Sequence, residues 1–190
     1  MTAQRVAAML GVSAVVVAAD AVSKALALRD LSGRPEIRLL DGLLTLNLTL
    51  NPGAAFGVGT SYTAVIALIA CVVVVYLVRM AGRLRSLAWS IALGLLLGGA
   101  AGNLGDRLFR APGPLRGSVV DWLNLPHFPW TFNLADAAIT CAAVLIVILT
   151  LCGIRIDGTS SASHPRDPAA NASPRPPDPG PAPPHPGTAG

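Results

Sequence analysis

Four long apolar segments, near residues 5–28, 62–79, 86–103 and 133–152, dominate this chain. Each has about the 17–25 residues that a helix needs to cross a hydrocarbon core of roughly 30 Å. Charged residues make up 13% of the chain, well below the roughly 25% of an ordinary soluble domain. The sequence therefore predicts an all-α polytopic membrane protein, with four transmembrane helices forming one domain over residues 1–153.

The first segment resembles a cleavable signal peptide only superficially. Its apolar stretch is longer than the roughly 7–15-residue core of such a peptide. It also contains Asp20 and Lys24, and no small-x-small cleavage site follows it. We therefore expect this segment to be retained as the first span.

The short loop between the second and third spans is basic and indicates the orientation. It carries Arg79, Arg83 and Arg85 without an acid, and cytoplasmic loops carry an excess of Lys and Arg. We therefore expect both termini to be cytoplasmic and the longer loops, 29–61 and 104–132, to lie outside. This arrangement accounts for the net charge of +4, so no nucleic-acid partner is expected.

Two regions do not have helical periodicity. Residues 43–50 alternate apolar side chains with Thr and Asn, which predicts a strand with one wet face. Residues 154–190 are rich in Pro and Ala, and from residue 157 onward they contain no Leu, Ile, Val or aromatic residue. Such a segment cannot bury a core. We expect it to be a disordered cytoplasmic tail.

Four of the ten acidic residues, Asp20, Asp106, Asp121 and Asp136, lie inside or against the apolar segments. A charge at the centre of a membrane helix costs about 2.5–3.5 kcal/mol on insertion scales, so each acid is a candidate functional residue. Some also have structural explanations. Asp20 and Lys24 are four residues apart, where opposite charges on a helix can pair.

Asp136 begins the fourth segment three residues after Asn133, so the two can cap the helix together. Asp121 precedes Trp122, an interfacial residue type, and the chain between the two aspartates is long enough to bring them together. Two adjacent carboxylates hold one proton between them, as in aspartic proteases. The residues alone leave both capping and catalysis open.

Asn103, Asp106 and Arg107 end the third segment, where Asp106 and Arg107 could form a structural ion pair. The cysteines and histidines lack metal-ligand spacing, and no phosphate-binding Gly loop occurs, so neither metal nor cofactor is expected. The alternative function is a small proton-coupled membrane transporter that uses intramembrane carboxylates. It predicts acids deep in the spans and an internal repeat, and no repeat is visible.

Five short stretches stand out along the chain: D-x-x-S-K (20–24), NPGAAFG (51–57), GNLGDR (102–107), VVD (119–121) and FNLAD (132–136). Taken together, they resemble one family, lipoprotein signal peptidase (prolipoprotein signal peptidase, signal peptidase II). The resemblance implies an intramembrane aspartic endopeptidase of the bacterial plasma membrane, with its active site at the outer face. Such an enzyme removes the signal peptide from prolipoproteins by cleaving before a diacylglyceryl-modified cysteine.

The resemblance also implies roles for individual residues. Asp121 and Asp136 would be the catalytic dyad, beneath a small extracytoplasmic β-like cradle formed by the first outer loop. Because a helix N-terminus favours a carboxylate, we expect Asp136 to be ionised and Asp121 to carry the proton. We expect a monomer surrounded by membrane lipids. The implied substrate-binding or supporting residues are Asn51, Gly53, Asn103, Asp106, Arg107, Asn133, Asp20 and Lys24.

Overall fold

The computed structural model of the chain describes residues 2–53 and 62–159. Within these ranges, four apolar helices are long enough to cross a membrane, as judged by length and composition. The prediction of four long apolar helices is therefore confirmed. They are α1 (Thr2–Leu31), α2 (Thr63–Met80), α3 (Leu87–Phe109) and α4 (Leu134–Leu151).

Helix α3 is the centre of the bundle and packs against each of the other three helices. Its glycines allow the close approach. A Cβ atom on Gly98 would come within 2.7 Å of Cβ of Val16 on α1, and one on Gly94 within 2.7 Å of the Met9 carbonyl oxygen. Small residues at such contacts are typical of membrane helices, whose association depends on van der Waals packing.

A three-stranded antiparallel sheet lies beside the helices. Its strands are β1 (Ile37–Leu39), β2 (Leu44–Asn51) and β3 (Val119–Asn124), in the spatial order β1-β2-β3. Strand β2 contains most of the alternating stretch from which a strand was predicted. Strand β3 was not predicted, because its VVDWLN sequence is almost continuously buried and has no alternating pattern.

Helix α3 continues to Phe109, beyond the predicted end of the third span at residue 103. Asp106 and Arg107 therefore lie within the helix and not in the loop after it. The helix can continue because Asp106 is paired with Lys24 of α1 and with Arg110 one turn further on. The charge is compensated inside the bundle, so the helix need not end before it.

Residues 154–159, assigned to the tail from the sequence, fold back onto the helical bundle. The Trp89 indole donates a hydrogen bond to the carbonyl oxygen of Ile154 at 2.8 Å, and two backbone amides of the α2–α3 loop donate to that of Ile156. Ile156 also packs against the core. The folded chain thus extends beyond residue 153 because Ile156 finds apolar contacts and the carbonyl groups of both isoleucines accept hydrogen bonds. The rest of the predicted disordered tail, 160–190, lies outside the described residues.

Candidate active site

Asp121 and Asp136 meet at one pole of the bundle, on either side of Asn133. The side-chain amide of Asn133 donates to Asp121 Oδ1 at 2.6 Å, and its backbone N–H donates to Asp136 Oδ2 at 3.2 Å. Asp121 comes from β3, whereas Asp136 comes from the first turn of α4. Both aspartates line one cavity of about 530 Å³. Asn133 therefore holds both carboxylates at the same cavity.

The predicted helix cap is present. The backbone N–H of Asp136 donates to Asn133 Oδ1 at 3.0 Å, so that the two residues form a reciprocal capping box at the start of α4. Capping does not account for every contact of Asp136, however. Its Oδ1 also accepts a hydrogen bond of 2.7 Å from the side-chain amide of Asn103. Asp136 thus serves as a cap and as part of a polar cluster.

Asn103 on α3 connects three helices. Its side-chain oxygen accepts from Lys24 Nζ at 3.0 Å and from Asn133 Nδ2 at 3.1 Å, while its nitrogen donates to Asp136. This pattern fixes the amide orientation, because the oxygen faces two donors and the nitrogen faces a carboxylate. Asn103 therefore orients Asp136 from the side opposite the helix cap.

Asp121 is buried, with 2% of its surface exposed. Its two oxygens accept one amide donor each: Oδ1 from Asn133, and Oδ2 from Asn51 Nδ2 at 2.9 Å. Burial and the negative charge of Asp136 together raise the pKa of Asp121 to about 6, although the two amide donors act to lower it. Asp121 thus keeps its proton to a higher pH than an ordinary aspartate does.

The end of β2 and the turn after it position Asn51. The Asn51 side-chain oxygen accepts from the backbone N–H of Gly53 at 2.8 Å, which closes the turn. Gly53 has a φ of +109°, a conformation that other residues rarely adopt. The predicted residue Gly53 therefore acts through the backbone geometry that aims Asn51 at Asp121. Residues 54–57, the second part of the NPGAAFG motif, lie outside the described residues.

A buried charge cluster lies beneath the dyad. The ammonium group of Lys24, a residue with 1% of its surface exposed, contacts Asp20 Oδ2 at 2.6 Å and Asp106 Oδ2 at 2.8 Å. The predicted pairing of Asp20 with Lys24 is confirmed.

Each acid of this cluster also accepts a backbone N–H: Asp20 from Ala135 at 3.0 Å and Asp106 from Val120 at 3.2 Å. These amides immediately precede Asp136 and Asp121, so the cluster holds the backbone of both.

The predicted ion pair between Asp106 and Arg107 is wrong. Asp106 pairs instead with Arg110, which was not identified from the sequence although its i+4 spacing was visible. Adjacent helical residues point about 100° apart, whereas residues four apart share a face. Arg107 is buried near the charges of Asp121, Asp106 and Asp136. Its Nη1 forms no hydrogen bond within the described part of the chain.

The site consists of carboxylates, amides and cations. Among residues 2–53 and 62–159, no group of three or more His, Cys, Asp or Glu side chains could hold a metal ion. Asp121 and Asp136 are groups that can transfer protons, and amide donors fix both carboxylates.

Comparisons with known proteins agree on one family. A family model described as signal peptidase (SPase) II matches residues 12–152. A lipoprotein signal peptidase of Streptomyces griseus subsp. griseus is 47% identical over 156 residues, which cover 82% of this chain and 79% of that protein. Its counterpart in Mycolicibacterium smegmatis is 42% identical over 172 residues, covering 90% of this chain and 73% of that protein.

A solved structure shares the fold. A bacterial membrane enzyme, determined by the in meso method at 1.9 Å resolution, matches with a TM-score of 0.66 and 27% identity. The match covers 75% of this chain and 92% of that enzyme. None of these comparisons supports the transporter alternative. The chain belongs to the signal peptidase II family and is a multi-pass bacterial membrane protease.

Proposed function

We propose that the chain is an aspartic endopeptidase in which Asp121 and Asp136 form the catalytic dyad. The observation that carries this proposal is the position of both carboxylates on either side of Asn133, at one cavity. Amide donors on both sides limit the rotation of each carboxylate. A pair held in this way can activate a water molecule and protonate a carbonyl oxygen in the same step.

The two aspartates begin the reaction in different protonation states. Asp121 carries the proton, because its burial raises its pKa to about 6. Asp136 is the carboxylate, because it lies in the first turn of α4, where the helix dipole favours a negative charge. The dyad as a whole therefore holds one proton.

The first chemical step forms a tetrahedral intermediate. The Asp136 carboxylate removes a proton from water as the water oxygen attacks the scissile carbonyl carbon. Asp121 donates its proton to the carbonyl oxygen, so that an uncharged gem-diol forms. The buried guanidinium of Arg107 lies close enough to both aspartates to stabilise negative charge that develops between them.

The second step breaks the peptide bond and restores the dyad. Asp136 gives its proton to the amide nitrogen, while Asp121 takes a proton from one hydroxyl of the gem-diol. The C–N bond then breaks and releases a carboxylic acid and an amine. Asp121 is again protonated and Asp136 ionised.

The proposed substrates are bacterial prolipoproteins, cleaved before a cysteine that carries a diacylglyceryl group. The relatives' name, lipoprotein signal peptidase, supports the substrate class. The cavity also suits a lipidated peptide, because the backbone of β2 forms one wall while Phe128 and Trp130 form an apolar one. No cofactor is needed for this chemistry, and the proposed unit is a monomer.

The proposed orientation places the dyad at the outer face of the membrane. Arg79, Arg83 and Arg85 lie at the other pole, where α2 ends and α3 begins. Because cytoplasmic loops are enriched in basic residues, both termini are cytoplasmic in this proposal. The three-stranded sheet then serves as the extracytoplasmic cradle, since Thr49 of β2 lies opposite Asp121 of β3.

Cleavage of a diacylglyceryl-modified prolipoprotein by the full chain in detergent or vesicles tests the dyad. Asp121→Asn and Asp136→Asn should each lower kcat by roughly 10²–10⁴-fold, the usual contribution of a general acid or base. Asp41→Asn is the matched control, because Asp41 is an exposed acid whose positive φ of 55° also suits asparagine. Near wild-type cleavage by either dyad variant would show that the assignment is wrong.

The same assay tests the substrate class separately. We expect the modified precursor to be cleaved at least tenfold faster than the same precursor without the diacylglyceryl group. Equal rates on both precursors, with activity still lost in the dyad variants, would retain the aspartic mechanism and exclude lipid recognition.

A further inference from the structure

A second cavity, of about 700 Å³, lies at the opposite pole from the dyad. It is formed by the ends of α2 and α4, the start of α3 and the segment that follows α4. Asp136 lies in the first turn of α4 and Thr150 of the cavity in its last turn, which places the cavity about 21 Å from Asp136 at 1.5 Å per residue. The cavity is therefore separate from the active site and has no role in the mechanism proposed above.

The segment after α4 is held in place and gives the cavity a defined wall. Its attachment to Trp89 and to the α2–α3 loop is described above. Arg155 and Thr159 then close a turn, with the Arg155 N–H donating to the Thr159 carbonyl oxygen at 2.9 Å. Arg155 consequently lines the cavity from one side while Arg83 lines it from another.

The cavity is positively charged. Arg83 and Arg155 are exposed, and neither forms an ion pair with any residue in the described ranges. Asp157 is the acid in the lining, and its Oδ1 already accepts two hydrogen bonds from Thr159, at 3.0 and 2.6 Å. Two guanidinium groups against one carboxylate leave an excess of positive charge.

Trp89 and Tyr76 complete the lining. Both are residue types that concentrate at the level of lipid headgroups. Guanidinium groups bind phosphate oxygens through two parallel hydrogen bonds. Basic pockets at the ends of membrane helices suit phospholipid headgroups for this reason. We propose that this cavity binds the phosphate of an anionic phospholipid in the adjoining leaflet.

A neighbouring groove favours a lipid over free phosphate. A hollow of about 400 Å³ runs along the outer surface of α2, lined by Val72, Val75, Tyr76 and Arg79 among others. Tyr76 lines both the hollow and the cavity. A phospholipid can therefore place its phosphate between the arginines and an acyl chain along α2. Inorganic phosphate would use only the first of these contacts.

Native mass spectrometry of the full chain in detergent tests the proposal. Phosphatidylglycerol is titrated against three proteins. They are the wild type, the double variant Arg83→Gln/Arg155→Gln, and the control variant Arg34→Gln. Arg34 is an exposed arginine near the end of α1, at the dyad pole. We expect the double variant to bind phosphatidylglycerol at least tenfold more weakly, whereas the control binds as the wild type does. Arg83→Gln alone should show an intermediate loss.

Two further arms distinguish the sources of phosphate. Phosphatidylcholine, which has no net charge, should bind the wild type at least tenfold more weakly than phosphatidylglycerol. Inorganic phosphate at millimolar concentration should leave the lipid adduct in place. The proposal is overturned if the double variant retains phosphatidylglycerol, if phosphatidylcholine binds equally, or if inorganic phosphate displaces the lipid. Cleavage activity is the folding control, because neither arginine belongs to the catalytic site.

Discussion

Two pairs of aspartates lie at the same pole of the bundle, and they differ in what stands between them. Asp20 and Asp106 share the ammonium group of Lys24, at 2.6 and 2.8 Å. Asp121 and Asp136 share the uncharged residue Asn133. A cation between two carboxylates compensates their charge, whereas an amide does not, which is why we propose that the second pair shares a proton. The first pair is therefore suited to structure and the second to proton transfer.

The two pairs are also connected. Each acid of the Lys24 cluster accepts the backbone N–H of the residue before one dyad aspartate, Ala135 or Val120. The cluster thereby fixes the backbone positions of α4 and β3 relative to each other. Catalytic groups need such support, because small displacements cost large factors in rate.

Replacing Lys24 by Met should have the largest effect on stability. The substitution leaves two buried carboxylates without a cation, which typically costs about 3–5 kcal/mol. Chemical unfolding in detergent, followed by circular dichroism, measures the loss. Arg29→Met is the control, because Arg29 forms an exposed, solvent-screened pair with Asp30 on the same helix and its replacement should leave the stability nearly unchanged.

A triple variant distinguishes lost charge compensation from lost packing. Asp20→Asn and Asp106→Asn, added to Lys24→Met, remove the uncompensated charges and should recover part of the lost stability. If Lys24→Met unfolds as the wild type does, the contrast between the two aspartate pairs does not hold.

Asn133→Ser separates capping from catalysis. Serine caps a helix about as well as asparagine does, but it has no amide to donate to Asp121. We expect the serine variant to lose the buried hydrogen bonds to Asp121 and Asn103 but to keep the helix cap, with cleavage lowered by roughly 10–10²-fold through loss of an orienting hydrogen bond. Asn133→Ala should lose activity similarly and about 1 kcal/mol of stability in addition. Full activity of the serine variant would show that Asn133 acts only as a helix cap.

The pH dependence follows from the raised pKa of Asp121. Because the mechanism requires protonated Asp121, kcat/KM should fall as the pH rises through about 6. The folded state also binds this proton more tightly than the unfolded state does, so the contribution to stability is present at low pH and is lost as the pH rises through about 6. Asn51→Leu removes a donor to the ionised form and should shift the falling limb of kcat/KM to higher pH. An unshifted limb would indicate that Asp121 is not the titrating group.

The sequence predicts the helices and the cap because both depend on neighbours along the chain. Apolar length indicated the four spans, and the spacing of Asn133 and Asp136 indicated the capping box. The place of Asp121 depends instead on strand register, with Thr49 of β2 opposite it although helices α2 and α3 separate the two strands in the sequence. The length of the chain between Asp121 and Asp136 allowed their partnership, and the family resemblance singled it out. The contacts of residues 154–159 were missed for the same reason, because their partners lie far away in the sequence.

The pairing of Arg110 with Asp106 was missed although their spacing was visible in the sequence. Replacing Arg110 should have the smallest effect on stability of the changes considered. Arg110 also pairs with Asp106, but a third of its side chain is exposed, compared with 1% for Lys24. Solvent screening should limit the cost of Arg110→Gln to about 1 kcal/mol, with the Val120 hydrogen bond to Asp106 retained. Unfolding measurements on Arg110→Gln and Lys24→Met under the same conditions check which substitution costs more stability. A loss as large as that of Lys24→Met would mean that Asp106, and not the shared lysine, anchors the buried pair.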